Sequence, residues 1–184
     1  MELAAGRLLI ASPLLGDPNF ARSIVLLLNA DDDGALGVIL NRPSGTRVDE
    51  VLGPWAGLVR TPEVLFQGGP VETNAALALA RVADAEEDLV GWRPLFDSTG
   101  LVDLDTPVEL LEGGLAELRI YAGYAGWSAG QLEAEIESGA WLVVPAEASD
   151  LFAADPDQLW GQVLRRQPGE VRLLATMPAD PTMN

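Results

Sequence analysis

Gly126-Trp127-Ser128-Ala129-Gly130 sets a serine in the G-x-S-x-G spacing that α/β-hydrolases use to raise a nucleophile on a sharp strand-to-helix turn. A serine hydroxyl attacks only when a neighbouring base takes its proton. The chain has no histidine, and its eleven basic residues are all arginine, so neither a Ser-His nor a Ser-Lys arrangement can be assembled. A simpler role accounts for Ser128. Gln131 stands three residues on, and S-x-x-Q is a capping box, in which each side chain satisfies a free backbone N–H of a first helical turn.

Other residue groups suggest other chemistry. Asp31-Asp32-Asp33-Gly34 resembles the start of a calcium loop, but the twelfth position, where an EF-hand needs Glu, is Arg42. The segment therefore reads as a hairpin loop, with a nonspecific divalent site as the alternative. Asp103 and Asp105, two apart, would share a face of a strand. With Asp17 they are the carboxylates that could hold Mg²⁺ or Mn²⁺ and activate water; otherwise they are solvated side chains. Gln67-Gly68-Gly69-Pro70 follows a strand, as anion-binding loops do, but it lacks the P-loop lysine. Its successive N–H groups could form an anion nest. If that loop meets Arg22, Asn41, Arg42, Tyr124, Trp127 and Gln131 at one end of a sheet, the result is a pocket with two guanidinium groups, amides and aromatic walls. Such a pocket suits a small anion. The competing reading has Arg22 and Arg42 paired with nearby Asp residues to fix loops, and the glycines and Trp127 serving the fold.

The elements that must position these groups follow from patterning. Leu118–Tyr124 alternates as a strand, and Gly123 and Gly126 predict a sharp turn after it. A helix capped by Ser128 then carries Leu132 and Ile136 on one face and ends at Gly139. Ala140–Val144 is a short apolar run before Pro145 and reads as a buried strand; if it shares a sheet with the first and runs parallel to it, the crossover should be right-handed. Upstream, Gly6–Ala11 reads as a strand, and Ser23–Asn29 and Ala35–Asn41 form a hairpin. Thr46 opens a short helix bearing Val48, Val51 and Leu52, and Gly53-Pro54 stops it. Val64–Gln67, Ala76–Val82 and Leu101–Leu104 are strands, with Asp84–Asp88 an acidic connector. Thr106-Pro107-Val108-Glu109 predicts a capped helix closed by Gly113-Gly114. Asp155-Pro156 opens the last helix, whose apolar face is Leu159, Trp160, Val163 and Leu164, with Arg165 and Arg166 at its end. The tail from Pro168, with Pro178 and Pro181, is expected to be loosely held at its end.

Taken together, G-Y-A-G-W-S-A-G-Q-L-E with W-L-V-V after it resembles the signature of the bacterial YqgE/AlgH family. The resemblance extends through L-I-A-S-P-L-L-G-D-P-N-F-A-R-S-I-V at 9–25, G-A-L-G-V-I-L-N-R-P at 34–43 and Q-G-G-P-V at 67–71, in order along nearly the whole chain. It implies an α/β (α+β) fold with a mixed, split, barrel-like sheet and short flanking helices. The family carries the label of transcriptional regulator and often has Gly where Ser128 stands. It supplies no catalytic residue to carry over.

Composition narrows the function. A length of 184 residues predicts one domain, 1–184, with a substantial core, and 48% hydrophobic against 21% charged content fits a globular chain. No cysteine is present, which excludes disulfides, thiol catalysis and thiolate metal sites. The start lacks the basic region of a secretory signal and no apolar run is long enough to span a bilayer, so a cytoplasmic location is expected. A net charge of −17 opposes direct DNA binding, which draws its affinity from Lys and Arg displacing counterions. Without His, Cys or Lys, most general bases and nucleophiles at neutral pH are missing. The expectation is a non-enzymatic regulatory or binding protein that uses no cofactor and acts through a protein partner or a small anionic ligand. A carboxylate-based metal-dependent hydrolase is the alternative.

Overall fold

A computed structural model describes residues 2–179. Ten strands join one curled, mostly antiparallel sheet, a half-barrel with short helices against it. The strands are β1 (Arg7–Ala11), β2 (Ile24–Asp31), β3 (Gly34–Ile39), β4 (Pro43–Arg47), β5 (Val64–Gln67), β6 (Val71–Val82), β7 (Trp92–Phe96), β8 (Thr99–Val102), β9 (Leu115–Ser128) and β10 (Trp141–Pro145). The order is β10-β1-β2-β3-β9-β6-β8-β7, with β5 pairing both β4 and β9.

The 14-residue β9 holds the two halves together. One of its edges runs along β6, from Val71 opposite Tyr124 to Val82 opposite Leu115. Its other edge pairs in parallel with β5 at Phe66–Tyr121 and Gln67–Ala122, then antiparallel with β3 from Gly37–Ala125 to Gly34–Ser128. The strand therefore does not end in a turn at Gly123 and Gly126, as the glycines suggest, but runs through both to Ser128. Ala125–Ser128 pair there with β3, and Tyr124 has Val71 of β6 opposite it on the other edge, so ladder hydrogen bonding overrides local turn chemistry. Antiparallel pairings connect β9 through β3, β2 and β1 to β10. Four reversals leave β9 and β10 parallel in one sheet, with three strands between them.

The long apolar runs are explained by burial on both faces. In β1 and β2, Leu8, Ile10, Ile24 and Leu26 enter a core shared with Phe66, Tyr121 and Trp160. Leu9, Ala11, Val25 and Leu27 point the other way, into a core with Trp127, Leu132 and Trp141. A third core, around Val48, Trp55, Ala80, Leu118 and Ile120, fills the half beyond β9.

Several local expectations change. The β2–β3 hairpin forms as expected, with Asp31 opposite Gly34. Thr46 lies in β4, and the helix behind it is a single turn, α1 (Val48–Val51), without a side-chain cap. Gly53-Pro54 begins a short 3₁₀ turn (Gly53–Trp55) rather than only stopping a helix. The capped helix expected at Thr106 is one 3₁₀ turn at Val108–Leu110 with no side-chain cap, too short for a hydrophobic face. Helix α2 (Gln131–Glu137) takes Gly130 as its N-cap, in the left-handed region at φ 73°, instead of Ser128. Helix α3 (Ala148–Leu151) has the capping box, formed by Glu147 and Asp150. The terminal helix α4 (Leu159–Arg165) buries Leu159, Trp160, Val163 and Leu164 as its pattern requires. Beyond it, residues Gly169–Thr176 form a 3₁₀ segment packed on α4, with Val171 and Leu174 against the core. Pro181 lies outside the described residues. None of the helices among them is long and apolar enough to cross a membrane.

Candidate functional site

The two glycine motifs singled out from the sequence meet where β5 leaves β9. A Cβ on Gly68 would lie 2.3 Å from the Gly123 carbonyl oxygen, and one on Gly69 would lie 2.1 Å from the Tyr124 carbonyl. A Cβ on Gly123 would in turn approach the Gly69 carbonyl oxygen to 2.6 Å. Gly123 also has φ +75°, a conformation that L side chains seldom adopt. The three glycines thus let two backbones cross in contact. Gly68 N–H donates to the Ala122 carbonyl, and the Gly68 carbonyl accepts from Ile39 N–H. Gly68 therefore works as a strand junction, with its own N–H committed to the ladder rather than to an anion nest.

Beside this crossing lies a cleft of about 450 Å³. Its polar walls come from Asn19, Arg42, Ser44, Thr46, Gln67 and Thr73, and its apolar floor from Ile39, Leu65, Pro70 and Ala122. Gly69 completes the lining, which contains no Asp, Glu or aromatic residue. Arg42 leaves the end of β3 and turns back over the 17–21 loop. It donates from its two terminal nitrogens to the Pro18 carbonyl (3.0 Å) and the Ala21 carbonyl (2.9 Å). Two of its five N–H groups are thus used for positioning, and three remain. Burial lowers its pKa from the ordinary arginine value, and the charge of Asp17 partly offsets this. An arginine stays ionised regardless.

Of the residues expected to converge, Arg42 and Gly69 line the cleft, with Gly68 adjacent in the chain. The others go elsewhere. Arg22, at φ 55°, sends its guanidinium over the Trp160 ring at 4.4 Å and donates to the Met177 carbonyl. It clamps the C-terminal segment. Asn41 ties the hairpin: its side chain accepts from Ile24 N–H and donates to the Arg22 carbonyl, both at 2.9 Å. Among the described residues, neither Arg22 nor Arg42 bonds an Asp side chain; both take backbone carbonyls. Tyr124 is half-buried, with its backbone against Gly69.

Trp127 and Gln131 belong to a separate cluster. Trp127 is 6% exposed and packs with Phe20 and Trp141. Its indole N–H donates to Glu135 Oε2 at 2.9 Å, the Trp141 indole N–H donates to the same oxygen at 2.8 Å, and Gln131 donates to Oε1. Glu135 therefore fixes two buried tryptophans, a role that nothing in sequence distinguishes from those of Glu133 and Glu137 on the same helix. Gln131 also accepts from Ser128 N–H at 3.1 Å, so half of the expected capping box is present, while Ser128 donates its hydroxyl to the same Gln131 oxygen.

The carboxylate candidates are separated. Asp103 and Asp105 line a broader groove of about 760 Å³ with Arg93 and Trp92, away from the loop that carries Asp17. They do not share a strand face, because β8 ends at Val102 and Asp103 accepts from Asp105 N–H in a turn. Asp17 accepts from Asn19 N–H, and Asp31 from Asp33 N–H and Asn29. Among the described residues, no three Asp or Glu side chains gather as a metal site would require.

The residues missed from the cleft are Asn19 in a turn, Ser44 and Thr46 in the short polar β4, and Thr73 in a bulged stretch of β6. Only the flanking Gly-Asp-Pro-Asn and Arg-Pro-Ser-Gly-Thr runs mark them, as chain reversals.

Comparison with known proteins places this architecture. The model of the AlgH-like family matches residues 8–172. The UPF0301 protein of Streptomyces coelicolor is 50% identical over 182 residues, covering 97% of this chain and 94% of its own. The UPF0301 protein of Thermobifida fusca is 53% identical over 188 residues, with the same coverage of 97% and 94%. Among solved structures, protein DIP2367 of Corynebacterium diphtheriae superposes with a TM-score of 0.91 at 33% identity, covering 96% of this chain and 94% of that one. The AlgH protein of Pseudomonas aeruginosa superposes at 0.68 with 29% identity, covering 97% and 98%. Similar to these proteins in sequence and in fold along nearly its whole length, the chain belongs to the AlgH-like family.

Proposed function

We propose that this chain is a non-enzymatic, single-domain cytoplasmic regulatory protein that works by binding, with the Arg42 cleft as its ligand seat. Of the two kinds of partner the sequence leaves open, the geometry favours a small anionic ligand over a protein. The observation that carries this is electrostatic. In a chain with 28 acidic residues and a net charge of −17, the cleft has a guanidinium in its wall and no carboxylate. Its size falls within the range of small-molecule sites, and its apolar floor with a few convergent polar groups has their usual make-up. Three unused N–H groups on Arg42 can meet a carboxylate or phosphate in the two-pronged geometry that arginine favours. The same net charge works against DNA contact, so any effect on transcription would be exerted through the bound state.

The test is calorimetry and thermal melting of the full chain with a panel of small carboxylates and phosphates. At least one should bind to the wild type and raise its melting temperature. Thr73→Asp puts a like charge into the cleft without touching Arg42, and should weaken that binding about tenfold or more, a coupling of about 1.4 kcal/mol. Arg42→Gln should abolish it. Binding that survives both changes would overturn the assignment of the site. Trp127 is not a useful probe: its burial and its bond to Glu135 make Trp127→Ala a stability variant costing about 3–5 kcal/mol.

A further inference from the structure

We infer that the ligand of the Arg42 cleft is a small, non-aromatic, polyhydroxylated anion of the sugar-phosphate or sugar-acid class. This rests on the preceding reading of the cleft as an anion site and adds what the rest of the ligand must be.

Three observations select the class. The first is the single guanidinium: Arg42 is the only charged side chain in the lining. One arginine matches one carboxylate or phosphate. A di- or triphosphate would bring more charge into a strongly acidic protein than one arginine offsets. The second is the set of uncharged polar groups. The side chains of Asn19, Thr46, Gln67 and Thr73 have no hydrogen-bond partner among the described residues, although all line the same cleft. Ser44 accepts from Thr46 N–H at 3.1 Å, which leaves its own hydroxyl proton to donate. Three hydroxyls and two amides, each able to donate and accept, match a ligand covered in hydroxyl groups. An apolar tail would leave them unpaired, at a desolvation cost for each. The third is the absence of any aromatic ring in the lining. The chain's tryptophans and Phe20 are committed elsewhere, so a nucleobase would have nothing to stack against.

The site is also rigid where it needs to be. Gly69 and Ala122 belong to the backbone crossing, and Gln67 N–H donates to the Arg42 carbonyl at 2.7 Å. That bond fixes the arginine's own backbone to the end of β5, so the anion-binding group and Gln67 keep their relative positions.

The experiment is titration calorimetry on the full chain with glycerol 3-phosphate, glucose 6-phosphate, gluconate, inorganic phosphate and AMP as probes. At least one of the three hydroxylated anions should bind ten times more tightly, or better, than inorganic phosphate or AMP. The double variant Thr46→Val, Thr73→Val should bring that ligand down to the level at which the wild type binds inorganic phosphate. Arg42→Gln should remove both. Equal binding of phosphate and the hydroxylated anions would sink the class but leave the anion site standing, as would tighter binding of AMP. An unchanged affinity in the valine double variant would also overturn the inference, since the hydroxyls would then not be contacts. No binding by any probe would take down the inference and the functional reading together.

Discussion

At the scale of single residues, the chemistry in this fold is mostly spent on holding backbone in place. Arg119 is 1% exposed and has no carboxylate partner among the described residues. Its guanidinium donates to the carbonyls of Thr61, Leu151 and Ala153 and lies 4.3 Å from the centre of the Phe66 ring. It ties the loop before β5 to the segment after α3. Burial lowers its pKa from the usual arginine value. Tyr121, fully buried beside it, is pushed in the other direction: desolvation raises its hydroxyl well above the ordinary value of about 10, and the Arg119 charge offsets only part of this. The sign of the consequence follows. The folded state holds the phenol proton more tightly than the unfolded chain does, so its contribution to stability is complete below pH ~10 and is lost as pH rises towards the folded pKa. Denaturant unfolding should show a loss of about 1 kcal/mol per pH unit above pH ~10 that is absent in Tyr121→Phe. Near pH 8 the Phe variant should cost less than about 1 kcal/mol, because the only hydrogen bond it loses is long, 3.4 Å to the Leu151 carbonyl. An equal alkaline slope in both proteins would show that Tyr121 is not the group responsible.

At the scale of elements, the glycines of one short motif carry opposite demands. Gly123 sits at φ +75° with the Gly69 carbonyl 2.6 Å from where its Cβ would be, whereas a Cβ on Gly126 would find only the edge of Tyr124, at 3.9 Å. Gly123→Ala and Gly69→Ala should each cost several kcal/mol or prevent folding, because the obstacle is backbone that cannot step aside. Gly126→Ala should be neutral within about 0.5 kcal/mol, or slightly stabilising, since it only restricts the unfolded chain. Thermal melts of the three variants decide the point, and comparable losses at 123 and 126 would refute it. The same contrast explains what was legible in the sequence. Runs such as Leu8–Ala11 and Ile24–Leu28 announce strands because both of their faces are buried, and the apolar stripe of α4 announces its helix. Residues 123–128 misled because pairing with β3 from Ala125 to Ser128, and with Val71 of β6 at Tyr124, outweighs two glycines. β4, β7 and α3 gave no signal, being short and polar or carrying Pro94 inside. The cleft was half legible for a similar reason. Arg42 and Gly69 stand in recognisable motifs, while Thr46 and Thr73 become site residues only through the pairing of β4 with β5 and the bulge of β6 against β9.

At the scale of the whole molecule, the field of 28 acidic residues against eleven arginines dominates. Part of it is locally answered. Arg166 pairs at 2.6 Å with Asp150, whose side chain is 4% exposed, and Arg81 and Arg60 flank Glu117. Arg47 and Asp49 pair in the open, where ion pairs contribute little. Two opposing salt effects follow. Screening weakens exposed pairs, each worth at most about 1 kcal/mol, but it also weakens the mutual repulsion of a surplus of seventeen negative charges held in one compact body. The partly buried Arg166–Asp150 pair is shielded from salt and enters neither side strongly. Repulsion is summed over many more pairs than attraction, so it wins. Raising NaCl from about 0.01 M to about 0.1 M, which shortens the screening length from ~30 Å to ~10 Å, should therefore raise the melting temperature by about 2–5 °C. Differential scanning calorimetry at neutral pH reads this directly. The rise should level off beyond about 0.1 M, once the screening length falls below the distance between neighbouring surface charges. A melting temperature that fell over the same range would mean that the few arginine pairs, rather than the net charge, set the electrostatic balance. The small-anion site would then need to be re-examined as one more local pairing instead of an exception in a repulsive surface.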